Sequence, residues 1–306
     1  MHTNPLLSLP RHALCRWGVG LSMLMTAGLA LAADPSGCGP RMASDGVTRA
    51  TPFVLAESFI FQGKPELSRY GIQTFKILDR GMLKDGPNGQ TADPERIQGL
   101  AQGLPKGDEP VVLDIESFNF TVDDATAQRG VDALSGVLKA FRSAAPGRSF
   151  GFYGAIPVRD YWRAMKGIGS GPYADWQAQN NRLRELARQV DIIFPSVYTF
   201  YEDRAGWVRY ATAQICEARR VSDKPVYIFI WNEYHDSNKT RQYTFLERDY
   251  WRLELETAFR LADGVVMWGG YDMGARKPRV WDEQAAWWEE TKFFAQKVLK
   301  NPRAAK

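Results

Sequence analysis

"EPVVLDIES", residues 109–117, is the clearest strand in the chain. Val111, Val112 and Leu113 make a short apolar run, of strand length rather than helix length. "ATAQRGVDALSGVLKAFRSA" (125–144) follows it with apolar residues at helical spacing. A buried strand feeding an amphipathic helix is one β/α unit. The strand also ends in two carboxylates, Asp114 and Glu116, although acids are depleted from strands and rarely buried without a partner.

The unit recurs along the chain. "TPFVLAESF" (51–59) and "IQTFKIL" (72–78) are weaker strand candidates on the N-terminal side. On the other side come "RSFGFYGAI" (148–156), "DIIFPSVYTF" (191–200), "KPVYIFIWNEY" (224–234) and "DGVVMWGGY" (263–271). Helical patterns over 173–189, 205–221, 244–262 and a tail over 282–299 separate or follow them. Such alternation predicts a parallel sheet with crossover helices, and about seven or eight units predict a (β/α)8-type TIM barrel. An open doubly wound sheet is the alternative. No G-x-G-x-x-G joins a strand to a helix, so a dinucleotide fold has no support.

The N-terminus reads as an export signal. Arg11 and Arg16 precede the apolar run "WGVGLSMLMTAGLALA" (17–32), which ends in Ala30-Leu31-Ala32, an A-x-A cleavage pattern. Residues 1–32 are therefore expected to be a signal peptide, and 33–306 a single domain in the periplasm or outside the cell, with no stable membrane insertion after cleavage. Removing the two arginines takes the formal net charge from +4 to +2, too little to argue for nucleic acid or an anionic membrane. Of three cysteines, Cys15 leaves with the signal, and Cys38 and Cys216 can pair in an oxidising compartment. Two cysteines and His235 do not make a metal site, and no cofactor is expected.

Chemistry in a (β/α)8 barrel sits at the C-terminal ends of the strands. Reading that position off each unit gives Asp114 and Glu116 on the third strand, Tyr153 on the fourth and Tyr198 on the fifth. It gives Trp231 and Tyr234 on the sixth and Trp268 on the seventh. Two acids and a set of aromatic rings converging on one mouth have the composition of a sugar-binding cleft with acid catalysis. Residues i and i+2 of a strand share a face, so Asp114 and Glu116 project the same way, about 6–7 Å apart along the strand. Like charges so placed disfavour double ionisation, and a carboxylic acid held protonated near neutral pH can donate to a glycosidic oxygen.

Four of these segments, "LDIES", "FPSVYTF", "PVYIFIWNEYHD" and "ADGVVMWGG", resemble in order and spacing the signature segments of the hyaluronidase family of glycoside hydrolases. The resemblance covers roughly residues 109–271 and points to a divergent member of bacterial type. It implies a distorted barrel in which Glu116 is the general acid/base and Asp114 orients the substrate's N-acetyl group. The acetamido carbonyl, not a protein carboxylate, would then attack the anomeric carbon. Tyr198 resembles the tyrosine that contacts the acetyl group, Tyr234 a second cleft tyrosine, and Trp268 the wall of the acetyl pocket. The chain departs from the family in three ways: "SFNF" follows Glu116 where the animal enzymes carry Trp and Arg, the N-terminal part resembles the family poorly, and the family's cysteine framework is missing.

The expected function is an exported glycoside hydrolase acting with retention on a polysaccharide or oligosaccharide that contains N-acetylhexosamine. Two alternatives stay open. One is a barrel glycosidase acting on a non-acetylated sugar polymer, with Asp114 or another acid as nucleophile. The other is a non-catalytic carbohydrate-binding barrel, against which the retention of both acids argues. Chitinase-like barrels rank lower, because "GDEPVVLDIE" lacks their longer acidic run.

Overall fold

The computed structural model describes Cys38 and residues 52–299; the expected signal peptide lies outside them. The chain is mixed α/β. It runs through β1 (Val54–Phe59), a 3-10 turn, β2 (Gln73–Thr74), β3 (Lys76–Leu78) and a hairpin of β4 (Leu83–Gly86) with β5 (Gly89–Ala92). Then come α1 (Pro94–Gln102), β6 (Val111–Leu113), α2 (Asp124–Ala144), β7 (Phe150–Phe152), α3 (Tyr161–Met165), α4 (Gly171–Asn181), α5 (Arg184–Gln189) and α6 (Arg204–Val221). β8 (Tyr227–Trp231), α7 (Arg248–Leu261), β9 (Gly264–Gly269), a two-residue pair β10 (Tyr271–Asp272) and β11 (Lys277–Pro278), and α8 (Ala286–Leu299) complete the described chain. No helix among the described residues is long and apolar enough to cross a membrane.

The strands of the β/α units pair in parallel in two sheets, β2-β1-β9-β8 and β3-β6-β7. Residues 192–197, expected as a strand, carry single bridges instead: Phe194 to Tyr153 on one side, and Ile193 to Val226 and Ser196 to Phe229 on the other. The alternating bonds Ile193 N→Pro225 O, Tyr227 N→Ile193 O, Phe229 N→Pro195 O and Val197 N→Phe229 O keep a parallel register with β8. Pro195 has no N–H to complete that ladder, so the segment lies between its neighbours without becoming a continuous strand. Gly151 lets it approach, since a Cβ there would stand 2.2 Å from the Ile192 carbonyl oxygen and 2.8 Å from the Phe194 ring.

Strand alternation divides the core in two. Val111, Leu113 and Ile115 join a large cluster with helix residues such as Val131, Leu134 and Leu138. Val112 belongs to a second cluster with Ala56, Phe75, Phe194, Phe229 and Val266, one or more residues from each strand region. β6 is therefore apolar on both faces, as parallel strands covered by helices are. Aspartates cap four of the eight described α-helices: Asp93, Asp123, Asp160 and Asp203 each accept a bond from the backbone N–H three residues on. Such caps contribute about 0.5–2 kcal/mol each.

Two helical expectations change. The helix expected over 173–189 is split into α4 and α5 by a tightened turn, Arg182 N→Gln179 O and Leu183 N→Asn180 O, which directs Leu183 and Leu186 into the core. The helix expected from 244 begins at Arg248, because Phe245 pairs instead with Glu233 in an antiparallel bridge. Cys38 and Cys216 form a disulfide, with 5.3 Å between their Cα atoms, that ties a residue far upstream to α6.

Candidate active site

The same alternation that fills the second cluster builds the site. Continuing the inward-facing series past the strand ends leads from Ile77 to Asp79, from Val112 to Asp114 and Glu116, and from Gly151 to Tyr153. It also leads from Phe194 to Ser196 and Tyr198, from Phe229 to Trp231, and from Val266 to Trp268. A cleft of about 730 Å³ opens at this end of the strands, and Asp79, Asp114, Glu116, Tyr153, Tyr198, Trp231 and Trp268 all line it.

β6 ends at Leu113, so Asp114 is the first residue beyond it and Glu116 the third. The flanking backbone still holds the register there, through Asp114 N→Leu78 O at 2.8 Å and Tyr153 N→Leu113 O at 3.0 Å. The two acids differ in setting. Asp114 is half-buried, whereas the Glu116 side chain is 56% exposed with Arg159 Nη2 3.7 Å from its Oε2. Burial, with the charges of Glu116 and Asp79 nearby, pushes the Asp114 carboxyl up to about 7, against a smaller pull from Arg159. Asp79 moves the other way: its bond from Arg80, at 3.1 Å, holds it below its usual range and hence ionised.

Aromatic rings form the rest of the cleft. Tyr198 stacks on Trp268 with centroids 6.1 Å apart, and Trp231 meets Trp268 edge-on at 4.9 Å. The Tyr153 hydroxyl lies 3.0 Å from Ser196 Oγ, and burial raises its pKa to about 12. Burial first, then Tyr153, also raises that of Tyr198, so both stay neutral hydrogen-bonding groups.

Tyr234 does not reach the cleft. It is buried behind it, where its hydroxyl donates to Glu247 Oε2 at 2.8 Å and its ring packs on Tyr250 and under the Arg241 guanidinium. The physical reason is the turn after β8. Tyr234 N bonds Thr244 O and Tyr243 N bonds Tyr234 O, and this pairing presents Tyr243, at φ 62°, to the cleft instead. Tyr243 lies 6.0 Å from Trp231, ring to ring.

Sequence reasoning missed further lining residues, among them the titratable Asp79, Arg159, His235 and Asp236. Asp79 is the next inward position after "IQTFKIL", so strand alternation signals it. His235 and Asp236 sit inside "NEYHD", where His235 Nδ1 lies 2.9 Å from Asp236 Oδ1 and burial lowers the imidazole pKa. Arg159 comes from the loop after β7 and has no local signal. Among the described residues no group of three His, Cys, Asp or Glu side chains is placed to hold a metal.

No family model matches the chain, and no curated protein matches its sequence. The structure is similar to that of bee venom hyaluronidase, with a TM-score of 0.56 and 18% identity over 83% of this chain and 100% of that one. A second structure, bee venom hyaluronidase in complex with a hyaluronic acid tetramer, gives a TM-score of 0.52 and 18% identity over 82% and 98%. An endo-β-1,4-mannanase from Thermotoga petrophila aligns at a TM-score of 0.42 and 10% identity over 83% and 78%. At these identities the likeness to the bee venom enzyme is one of fold.

Proposed function

We propose that this chain is an exported glycoside hydrolase that cleaves a polysaccharide containing N-acetylhexosamine, with retention and with the substrate's acetamido group as nucleophile. The two sheets are read as one distorted (β/α)8-type barrel, with residues 192–197 as its loosest stave. The observation that carries the proposal is the pair Asp114 and Glu116 at the mouth of an aromatic cleft, one half-buried with its pKa near 7 and one exposed.

The chemistry follows from the proton that Asp114 holds below about pH 7, which passes to Glu116 as the substrate's acetamido N–H takes its place. Glu116, the more exposed, gives that proton to the glycosidic oxygen as the bond to the leaving sugar breaks. Asp114 is then a carboxylate and accepts the acetamido N–H, which aligns the carbonyl oxygen for attack and offsets the positive charge of the oxazolinium ring. Tyr198 and Trp268 wall the space beside it, with Trp231 packed edge-on against Trp268. Water later opens the ring, with Glu116 taking its proton.

One observation favours a second reading. Asp79 is an ionised carboxylate in the same cleft, which is what an enzymic nucleophile requires. In a glycosidase for non-acetylated sugars, Asp79 or Asp114 would form the covalent intermediate. Two inhibitors separate these routes. A thiazoline that mimics the oxazolinium ring should bind far more tightly than the parent sugar, and Asp114→Asn should weaken it. A 2-fluoro glycoside that leaves a sugar esterified to Asp79 or Asp114, seen by mass spectrometry, would establish the second reading instead.

Export rests on the segment 1–32 and is supported by the Cys38–Cys216 pairing, since disulfides persist in oxidising compartments. N-terminal sequencing of protein from its own cells should find a start near Ala33; an intact Met1 in the cytoplasmic fraction would refute it.

A further inference from the structure

The cleft does not end at Glu116. A second hollow of about 360 Å³ lies beyond it, with Glu116, Tyr153 and Arg159 in the shared wall. Its own surface comes from Phe118, Asn119, Phe120 and Thr121 on the loop after Asp114 and Glu116, and from Val158 after β7. Asp114, Tyr198 and Trp268 face the first hollow and not this one.

The geometry points to a division of labour: the first hollow holds the sugar that carries the acetamido group, and the second binds the sugar that leaves. This rests on the function proposed above. The groups assigned to the acetamido group, Asp114, Tyr198 and Trp268, confine that sugar to the first hollow. The proton donor must reach the glycosidic oxygen, which joins the two sugars, and Glu116 stands on the boundary. The second hollow, which shares that boundary, is a built space for the next sugar along the polymer. That space suits a sugar ring, with Phe118, Phe120 and Val158 for its apolar face, and Asn119, Thr121 and Arg159 for its hydroxyls.

The loop that forms it is held in place before any ligand arrives. Phe118 and Phe120 seat against Gly130 of α2, where a Cβ would come within 2.7 Å of the Phe120 ring and 3.1 Å of Phe118. Arg182 Nη1 bonds Phe120 O at 3.1 Å and Gln179 Nε2 bonds Thr121 O at 3.3 Å. Asn119 Oδ1 accepts from Thr121 N and Oγ1 at 2.9 and 2.7 Å, and Ser117 Oγ bonds Gln90 Oε1 of β5 at 3.0 Å. A wall fixed by its own contacts costs little ordering entropy on binding.

The test compares leaving groups. An oligosaccharide ending in N-acetylglucosamine is prepared from hyaluronan and, in a parallel arm, from chitin. Each is joined at its anomeric carbon either to a further sugar or to fluoride, which occupies no sugar site. Val158→Trp, and separately Thr121→Trp, fill the second hollow from opposite sides. Each is expected to lower the kcat/KM ratio of sugar-leaving to fluoride-leaving substrate at least about tenfold, the factor set by roughly 1.4 kcal/mol of lost binding. If the wild type turns over both substrates and the ratio stays at its wild-type value in either folded variant, this assignment falls and the proposed function stands. If the wild type turns over neither substrate in either arm, the proposed function falls and the assignment with it.

Discussion

Asp114 and Glu116 stand two residues apart, yet their surroundings differ, and the proposed division of roles rests on this difference. Asp114 is drawn toward the interior and its carboxyl is pushed up to about 7, while Glu116 stays exposed beside Arg159. If Glu116 donates the proton, Glu116→Gln should lower kcat by at least about two orders of magnitude, the lower end of general-acid contributions, while oligosaccharide binding persists. The proton held by Asp114 is lost as pH rises through about 7, so kcat/KM should fall on that side, and Asp114→Asn should move that limb. Stability gives an independent reading. The folded-state pKa of Asp114 lies above its ordinary 3.8, so its contribution is fully present below 3.8 and is lost as pH rises to about 7. Asp114→Asn should therefore raise the melting temperature at pH 8, with the gain vanishing toward pH 4. A gain that grows toward low pH would contradict the assignment.

Strands explain why most of the site residues were legible. The two-residue period of a strand carries Val112 to Asp114 and Glu116, and Phe194 to Tyr198, because the alternation is built into the backbone. The turn after β8 breaks that logic. Tyr234 lies past the strand end, and its antiparallel contacts with residues 243–244 decide that Tyr243 faces the cleft. Helix α6 supports the weakest strand region: Trp207 Nε1 donates to Val197 O at 2.8 Å and the Tyr210 hydroxyl to Ser196 O at 3.1 Å, just before Tyr198. The Cys38–Cys216 disulfide is anchored on this helix and spans 178 residues of sequence. Cys216→Ser should cost about 2–4 kcal/mol, the usual range for closing a long loop, measured as a lower denaturation midpoint that reductant reproduces in the wild type.

At the scale of the molecule, two strand sheets joined by single bridges present strand-end and loop side chains to one cleft. No strong charge field surrounds it: acidic Asp79, Asp114, Glu116 and Asp236 share the lining with Lys76, Arg159 and His235. Under the proposed function, selection of the polymer falls on the acetamido group rather than on overall charge. De-N-acetylation removes the proposed nucleophile, so a de-N-acetylated polysaccharide should be cut at least about a hundredfold more slowly than its acetylated parent, as assayed by release of reducing ends. Equal rates on the two polymers would favour a carboxylate nucleophile.

The amino-acid sequence by itself determined the main alternation of parallel strands and helices, the strand ends as the place of the polar residues, and Asp114, Glu116, Tyr153, Tyr198, Trp231 and Trp268 as lining groups. These depend on local periodicity, which each segment carries within itself. Tertiary structure alone decided the pairing of Cys38 with Cys216, the exchange of Tyr234 for Tyr243, the arrival of Arg159, and which carboxyl is buried. It also decided that a second hollow opens beyond Glu116, because its walls come from two loops more than thirty residues apart that meet only when α2 and α4 pack beside them. Burial, loop direction and long-range approach are properties of the assembled chain, and no window of sequence contains them.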